Sequence, residues 1–500
     1  MDDQQGLIPP EWLNESSQEI IDRAVELLKS NEVREVWQAR KLCEVVLSID
    51  RHNPGIIFLI ASSYLRQSRW AYAEHWFRRA LAEITEETPP KAQAPMHCNL
   101  GYCLQQEGRN EEAAACFQKA VDLDPVQSEY LNNLATLFVN NGTPEEAVRR
   151  CALALDVDPD NEDAKWNQGL AYLELGQWDK GWAGYKSGLV ADVQSSQKRK
   201  QRTYPQFPEL PYWDGTRGQK VVLYGEQGVG DEILAVSMLE DAAKENDLIY
   251  EAHPRLVNIM RHNFGNQFPI YGSRKIPQDE VQWPNWEKPD AKLAILGLGE
   301  HYRRKDEDFP GKVYLKPFDS LVDKYKEKMR KMGSRPKIGI SWKGGSVLTR
   351  HDLRSIPIGL MQDMFKTIDA DWISLQYDNA DRPGWNTPIV EGFEKDMGVC
   401  LNHDTAVIND LDECYGGLIH ALDLVISVNT SLVHACGAFG VPCWVLTPKR
   451  PAWRYNIEGE RMIWYGGHVR QIRQTEDSWE PVIKEVTTQL QSWLEEVTAA

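Results

Sequence analysis

Nowhere in the 500 residues does an apolar run approach the length of a bilayer span; the best, Gly55 to Ala61, is far too short. The opening residues, MDDQQGLIPPEW, are acidic and carry no apolar core of the kind a secretory signal needs. Basic charge is also short: 56 Lys and Arg stand against 74 Asp and Glu, a net charge of −18 and a pI near 5.2. That balance excludes the broad basic surface of a nucleic-acid binder and opposes contact with acidic membranes. The nine cysteines are scattered singly, and only Cys98 and Cys103 stand close, at no zinc spacing. They read as reduced, buried residues of a cytoplasmic protein. No Gly-Lys-Ser/Thr phosphate loop is present, and the one glycine-rich turn does not match GxGxxG. Asp410-Leu-Asp412 and Asp156-Val-Asp158 have the spacing of a metal-binding DxD pair, but both sit in helical or repeat contexts and read as solvated carboxylates. No metal and no resident cofactor are expected.

What the chain does have, over its first two-fifths, is a repeat. Leu100-Gly101, Leu104, Gly108, Ala113, Ala120 and Pro125 recur 34 residues later as Leu134-Ala135, Phe138, Gly142, Ala147, Ala154 and Pro159. Gly169, Tyr172 and Gly176 begin another copy, and Ala61, Tyr64, Ala73, Phe77 and Ala80 form an earlier one offset by 40, the extra residues falling near Thr88-Pro89-Pro90. Ala39 and Cys43 suggest a degenerate first copy. This period, with small residues where paired helices approach and a terminal proline, is the tetratricopeptide pattern. Such arrays curve so that the concave face usually holds a peptide or protein; a structural spacer or a homodimer surface is the alternative.

Beyond it, Ser195-Ser196, the basic run Lys198 to Arg202 and the prolines between Pro205 and Pro211 read as a linker. Then Lys220 to Tyr224 is a strand, followed by the turn Gly225-Glu-Gln-Gly-Val-Gly-Asp231 and a helix over Glu232 to Ala243. Gly225, Gly228 and Gly230, with Gln227 among them, suggest close backbone approach to a ligand. Asp231 falls where the helix should begin, as an N-cap or as a carboxylate able to accept a proton. Lys337 to Trp342 begins a second α/β segment, with Gly344 and Gly345 in the loop at its carboxyl end and Arg350, His351 and Arg354 just beyond. Asp371 to Gln376 is another strand. The stretch Asp423 to Leu446 reads as strand, polar turn, short helix and strand, with Asn429, Thr430 and Ser431 as helix-capping types and His434 one turn in. In an open parallel sheet this places a helix N-terminus at the carboxyl edge of a strand, where phosphate groups bind. His434 itself reads as a packed, hydrogen-bonded residue rather than a catalyst.

The segment Trp213-Asp-Gly with Gly225 to Asp231, Ile340 to Gly345, Arg354-Ser-Ile-Pro357, Ser374 to Gln376, Asp423 to Leu446, Trp453-Arg454, Trp464-Tyr465 and Arg473-Gln474 resembles, in order, the heptosyltransferase-like (family nine) glycosyltransferases fused to tetratricopeptide repeats. The resemblance covers roughly residues 205 to 495, and the plan also resembles O-linked N-acetylglucosamine transferases. It implies an N-terminal repeat superhelix followed by a two-lobe, Rossmann-like GT-B region: repeats over 1–195 in about five copies with the outer ones degenerate, a linker over 196–217, an acceptor-side lobe over 218–335 and a nucleotide-sugar lobe over 336–500. It implies inverting, metal-independent transfer from a nucleoside-diphosphate sugar to a protein or glycan hydroxyl. In that scheme Asp231 is the base, and Gly344, Gly345, Arg354, Gln376, Asn429, Thr430, Ser431 and His434 surround the donor. Where the family usually reads Val-Asp-Thr this chain has Val428-Asn429-Thr430, which keeps hydrogen-bonding capacity and loses a charge. A loss of catalysis, leaving a repeat scaffold with a nucleotide-sugar-binding domain, is the alternative.

Overall fold

A computed structural model describes residues 8–9, 11–12, 15–190, 210–225, 228–272, 288–344, 352–377 and 387–499. The basic run at 198–202, Gln227, Gly345, Arg350 and His351 lie outside them. Ten helices come first: α1 Ser17–Leu27, α2 Val33–Ile49, α3 Pro54–Arg66, α4 Trp70–Ala82, α5 Pro90–Gln106, α6 Asn110–Leu123, α7 Ser128–Asn140, α8 Pro144–Val157, α9 Glu162–Glu174 and α10 Trp178–Val190. The tight turn inside a repeat needs one residue in the left-handed region. Gly108, Gly142 and Gly176 supply it at φ 79°, 67° and 68°, and Ser68 holds the same place at 55°. The closing bond repeats with it, from Arg69 N–H to the Tyr64 carbonyl at 3.0 Å and from Arg109 N–H to the Leu104 carbonyl at 2.9 Å. Ala113, Phe117 and Ala120 are fully buried, and a methyl group on Gly101 would lie 3.0 Å from the Phe117 ring. The small residues of the pattern are thus where helix backbones approach.

The chain divides into two compact units, Met1–Ala171 and Tyr172–Ala500. The division falls ahead of the expected boundary at 195 because α10 is built into the second unit. The Trp178 indole donates to Asp306 at 2.7 Å and the Trp182 indole to the Arg303 carbonyl at 2.7 Å, and both rings are buried. Gly299 has no side chain because the Trp182 ring would stand 2.3 Å from a methyl group there.

Two parallel sheets follow within this unit. The first consists of β1 Lys220–Tyr224, β2 Asp247–Ala252, β3 Ile270–Gly272 and β4 Ala291–Ala294, in the order β3-β2-β1-β4. The second consists of β5 Lys337–Ser341, β6 Asp371–Ser374, β7 Leu401–His403, β8 Leu424–Val428, β9 Cys443–Thr447 and β10 Val469–Arg473, in the order β10-β9-β8-β5-β6-β7. Every strand pair is parallel. Strands β1, β5 and β8 are almost wholly buried, as their unbroken apolar runs require when both faces are covered. Under the second sheet, Ile338, Ile340, Leu424 and Ile426 share a core with Val482, Val486 and Leu490 of the closing helix, Glu480–Ala499.

Several elements differ from expectation. The helix after β1 is broken at Ser237-Met238 into Val229–Val236 (α11) and Leu239–Ala243. It begins at Val229, so Asp231 is its third residue and Gly228 its N-cap. Glycine has no side chain to cap with, and the Asp231 carboxylate instead accepts the Gly228 N–H at 3.2 Å. The helical context of Asp410 and Asp412 is short: a helix over Leu411–Gly416 stops and resumes as a tighter turn over Leu418–Ala421. Strand β10 was not foreseen, since only Val469 and Ile472 of Val469–Arg473 are apolar and the strand lies at the sheet edge.

Candidate functional site

In each sheet the chain runs outward on one side and returns on the other, and ligands of open parallel sheets bind where that reversal leaves a crevice at the carboxyl ends. In the first sheet the crevice lies beside β1, whose carboxyl end leads through Gly225 into α11. In the second it lies between β5 and β8, adjacent strands that lead into the Lys343-Gly344 loop and into Asn429 and the helix Ser431–Phe439 (α12). A methyl group on Gly344 would lie 3.2 Å from both the Asn429 carbonyl oxygen and the Thr430 methyl, so the two loops touch only because residue 344 is glycine.

The N-termini of α11 and α12 face one another. A methyl group on Gly230 would stand 2.8 Å from the His434 ring and 3.0 Å from the Ser431 backbone. Asp231, one residue on, forms an ion pair with Arg454 from the loop after β9. Arg354 donates to the Asn429 carbonyl at 3.0 Å. Burial draws the Arg354 guanidinium below the usual arginine range; Tyr455 and Asp231 oppose that shift and Arg454 adds to it. One acid and two arginines from three distant stretches thus share a small volume.

The remaining expected residues divide by what they hold. Thr430 caps α12, its hydroxyl accepting the Leu432 N–H at 3.3 Å, and the Ser431 hydroxyl lies 2.7 Å from the Tyr415 hydroxyl. Gln376 is buried and committed to the backbone. Its carbonyl oxygen accepts from the N–H groups of Trp342 and Lys343 at 3.1 and 2.8 Å, and its amide donates to the Lys343 carbonyl at 3.0 Å. It therefore fixes the β5 loop. His434 lies between the Tyr465 and Tyr455 hydroxyls, at 2.9 and 3.3 Å, and burial with the Arg454 charge pushes its pKa down to about 3. It is a neutral ring fixed at both nitrogens.

Asn429 is different. It is 1% exposed, and neither atom of its side-chain amide has a hydrogen-bond partner among the described residues. Leaving such a group unsatisfied costs about 1–3 kcal/mol per polar atom.

Arg454 was given no site role from the sequence, although Trp453-Arg454 is among the motifs that carry the family resemblance. Its loop is buttressed by α10. The Trp453 ring lies 5.6 Å from Trp182 and 6.1 Å from Trp464, which in turn lies 6.4 Å from Trp178. Asp410 and Asp412, the DxD alternative, do other work: Asp410 caps the helix Leu411–Gly416, and Asp412 accepts from Asn258 at 2.7 Å. Among the described residues no group of three or more His, Cys, Asp or Glu side chains is placed to hold a metal ion. Nor is any described helix long and apolar enough to cross a membrane.

Residues 94–125 and 132–182 match profiles of the tetratricopeptide repeat. Protein FlbA of Caulobacter vibrioides is 24% identical over 414 residues, covering 79% of this chain and 66% of FlbA. A barley (Hordeum vulgare) protein, the probable UDP-N-acetylglucosamine–peptide N-acetylglucosaminyltransferase SPINDLY, is 34% identical over 123 residues, 23% of this chain and 13% of that one. The human protein O-mannosyl-transferase TMTC2 is 33% identical over 69 residues, 14% of this chain and 8% of that one. The likeness to these two transferases falls in the repeats. The chain spans less than two thirds of the length of each of these three relatives. The solved structure of YrrB, a TPR protein with an unusual peptide-binding site, is 21% identical, covers 35% of this chain and 86% of its own, and gives a TM-score of 0.29.

Proposed function

We propose that this chain is a GT-B glycosyltransferase that moves a sugar from a nucleoside-diphosphate sugar to a hydroxyl of a protein or glycan, with inversion, and that the repeats select the acceptor. The observation that carries the reading is the unsatisfied Asn429 amide at the head of α12, beside Arg354 and facing Asp231's helix. The acceptor oxygen attacks the anomeric carbon, Asp231 takes the hydroxyl proton, and the bond to the diphosphate breaks with its electron pair leaving on the diphosphate. The charge that develops there falls to the α12 N-terminus and Arg354, and Asn429 supplies an uncharged donor and acceptor where the family carries an acid. Arg454 holds the Asp231 carboxylate in place from the opposite sheet. The transferase names of the barley and human relatives support the plan only through the repeats they share with this chain.

A second reading, a binding protein that holds a sugar nucleotide without turning it over, is favoured by the engagement of both Asp231 oxygens, one by Arg454 and one by the Gly228 N–H. Thermal-shift and turnover measurements with UDP-, GDP- and ADP-sugars separate the two. The transferase reading expects one nucleotide to stabilise the protein and to be consumed. It also expects Asp231→Asn to lower turnover by at least ~100-fold with the thermal shift retained. Unchanged turnover in that variant removes Asp231 from the mechanism, and stabilisation of the wild type without turnover establishes the binding protein.

A further inference from the structure

Arg23, Arg78, Arg109, Arg149 and Arg150 of the first unit each form ion pairs with glutamates. Arg34, Arg40, Arg51, Arg66, Arg69 and Arg79 form none among the described residues, and three of these share one site. Arg40, Arg66 and Arg69 line one cleft of about 530 Å³ with Ser30, Val36 and Trp37, between the α1–α2 loop and the α3–α4 turn. Among the described residues none of the three makes an ion pair. Arg40 is 6% exposed, with its guanidinium 4.2 Å from the centre of the Tyr64 ring and one nitrogen donating to Gln67 at 3.1 Å. Arg66 donates to the Ser30 carbonyl at 2.7 Å and to the Asn31 side chain at 3.2 Å. Arg69 lies 5.7 Å from the Tyr72 ring.

These neighbours orient the guanidinium forks without neutralising them. A buried cation held by an amide and an aromatic face keeps most of its desolvation cost, and a carboxylate offered from outside would recover it through paired N–H bonds. The wall beside them is apolar: Val33 is 72% exposed and Trp37 half-buried. A site with three cations and an adjoining apolar wall, on a chain of net charge −18, suits a short acidic segment carrying one apolar side chain.

We propose that this cleft is a docking site for an acidic peptide segment of a partner protein, with Arg40, Arg66 and Arg69 taking its carboxylates and Val33 and Trp37 its apolar residue. The site lies at the loop edge of the first helices, and binding there is independent of whether the second unit transfers a sugar.

The test is fluorescence anisotropy of the full-length protein with a fluorescein-labelled Leu-Glu-Glu-Asp-Glu peptide and its amide counterpart Leu-Gln-Gln-Asn-Gln, in low and high salt. The acidic peptide should bind at least tenfold more tightly than the amide peptide and weaken as salt rises. R66Q/R69Q changes only exposed side chains, leaves the melting temperature within a few degrees, and should cost at least tenfold in affinity. Equal binding of the two peptides, no binding of the acidic one, or unchanged affinity in the double variant overturns the proposal. Inorganic pyrophosphate that binds with the same arginine dependence while the acidic peptide does not would also overturn it, because the site would then be one for phosphate.

Discussion

The two compact units store their information differently. In the repeats, partners sit within about one period of each other: Phe117 packs against Gly101 within its own repeat, and Asn167 donates to Asn132 in the neighbouring one at 2.9 Å. In the α/β unit the contacts that matter are distant in sequence. Asp231 meets Arg454, Arg354 meets Asn429, and the last repeat-like helix packs its tryptophans against the loop that carries Arg454. A repetitive unit tolerates local substitutions and can change its surface chemistry copy by copy. A unit assembled from crossing strands concentrates chemistry at one place but makes it depend on the whole fold.

The largest expected effect that tests this contrast is in the α/β unit. Lys337 and Asp371 are 6% and 5% exposed and pair at 2.8 Å across β5 and β6. Asp371→Ala strands a buried ammonium and should cost about 3–5 kcal/mol, read as a shift in the urea midpoint. If the cost is under 1 kcal/mol, the second sheet is not organised around that buried pair.

A smaller, pH-dependent effect belongs to His434. Its folded pKa of about 3 lies below the unfolded histidine value, so the unfolded chain takes up a proton first as pH falls. The stability contributed by the neutral ring is complete above about pH 7 and lost progressively as pH falls from about 6.5 towards 3. By pH 4.5 the loss should reach up to about 3 kcal/mol. His434→Gln should remove most of it, so the stability difference between wild type and variant should narrow by about 2 kcal/mol between pH 7.5 and 4.5 in urea titrations. A difference that stays constant with pH would mean the ring is protonated in its tyrosine cage.

The smallest effect is in the repeats. Ser68 occupies the left-handed position that glycine fills in the three later turns. Ser68→Gly should therefore stabilise the protein by up to about 1 kcal/mol, seen as a rise in melting temperature. A decrease would show that the serine side chain holds something the glycines do not.

The legibility of the sequence follows the same division. The repeats were read from Gly101, Ala113 and Ala120 because small residues at a fixed period report directly on helix approach, and the profile matches over 94–125 and 132–182 agree. Strands β1, β5, β8 and β9 were legible as apolar runs, and Thr430 as a cap from its place before a short helix. That the neighbouring loop's N–H groups claim Gln376 was not legible, because nothing in a strand-end glutamine reveals it. The start of α11 was set three residues late, since an aspartate at the third helical position can cap from within as readily as one at the boundary.

Sequence alone determined the periodic helices, the apolar central strands and the polar turns that head their helices, because each depends on neighbours within a few residues or one repeat. Only the tertiary structure decided that α10 belongs with the sheets, that Arg454 answers Asp231, that His434 is a fixed neutral ring and that the Asn429 amide is buried without a partner. Those outcomes depend on which of many compatible side chains the crossing strands bring within hydrogen-bonding distance, and local pattern carries no record of that choice.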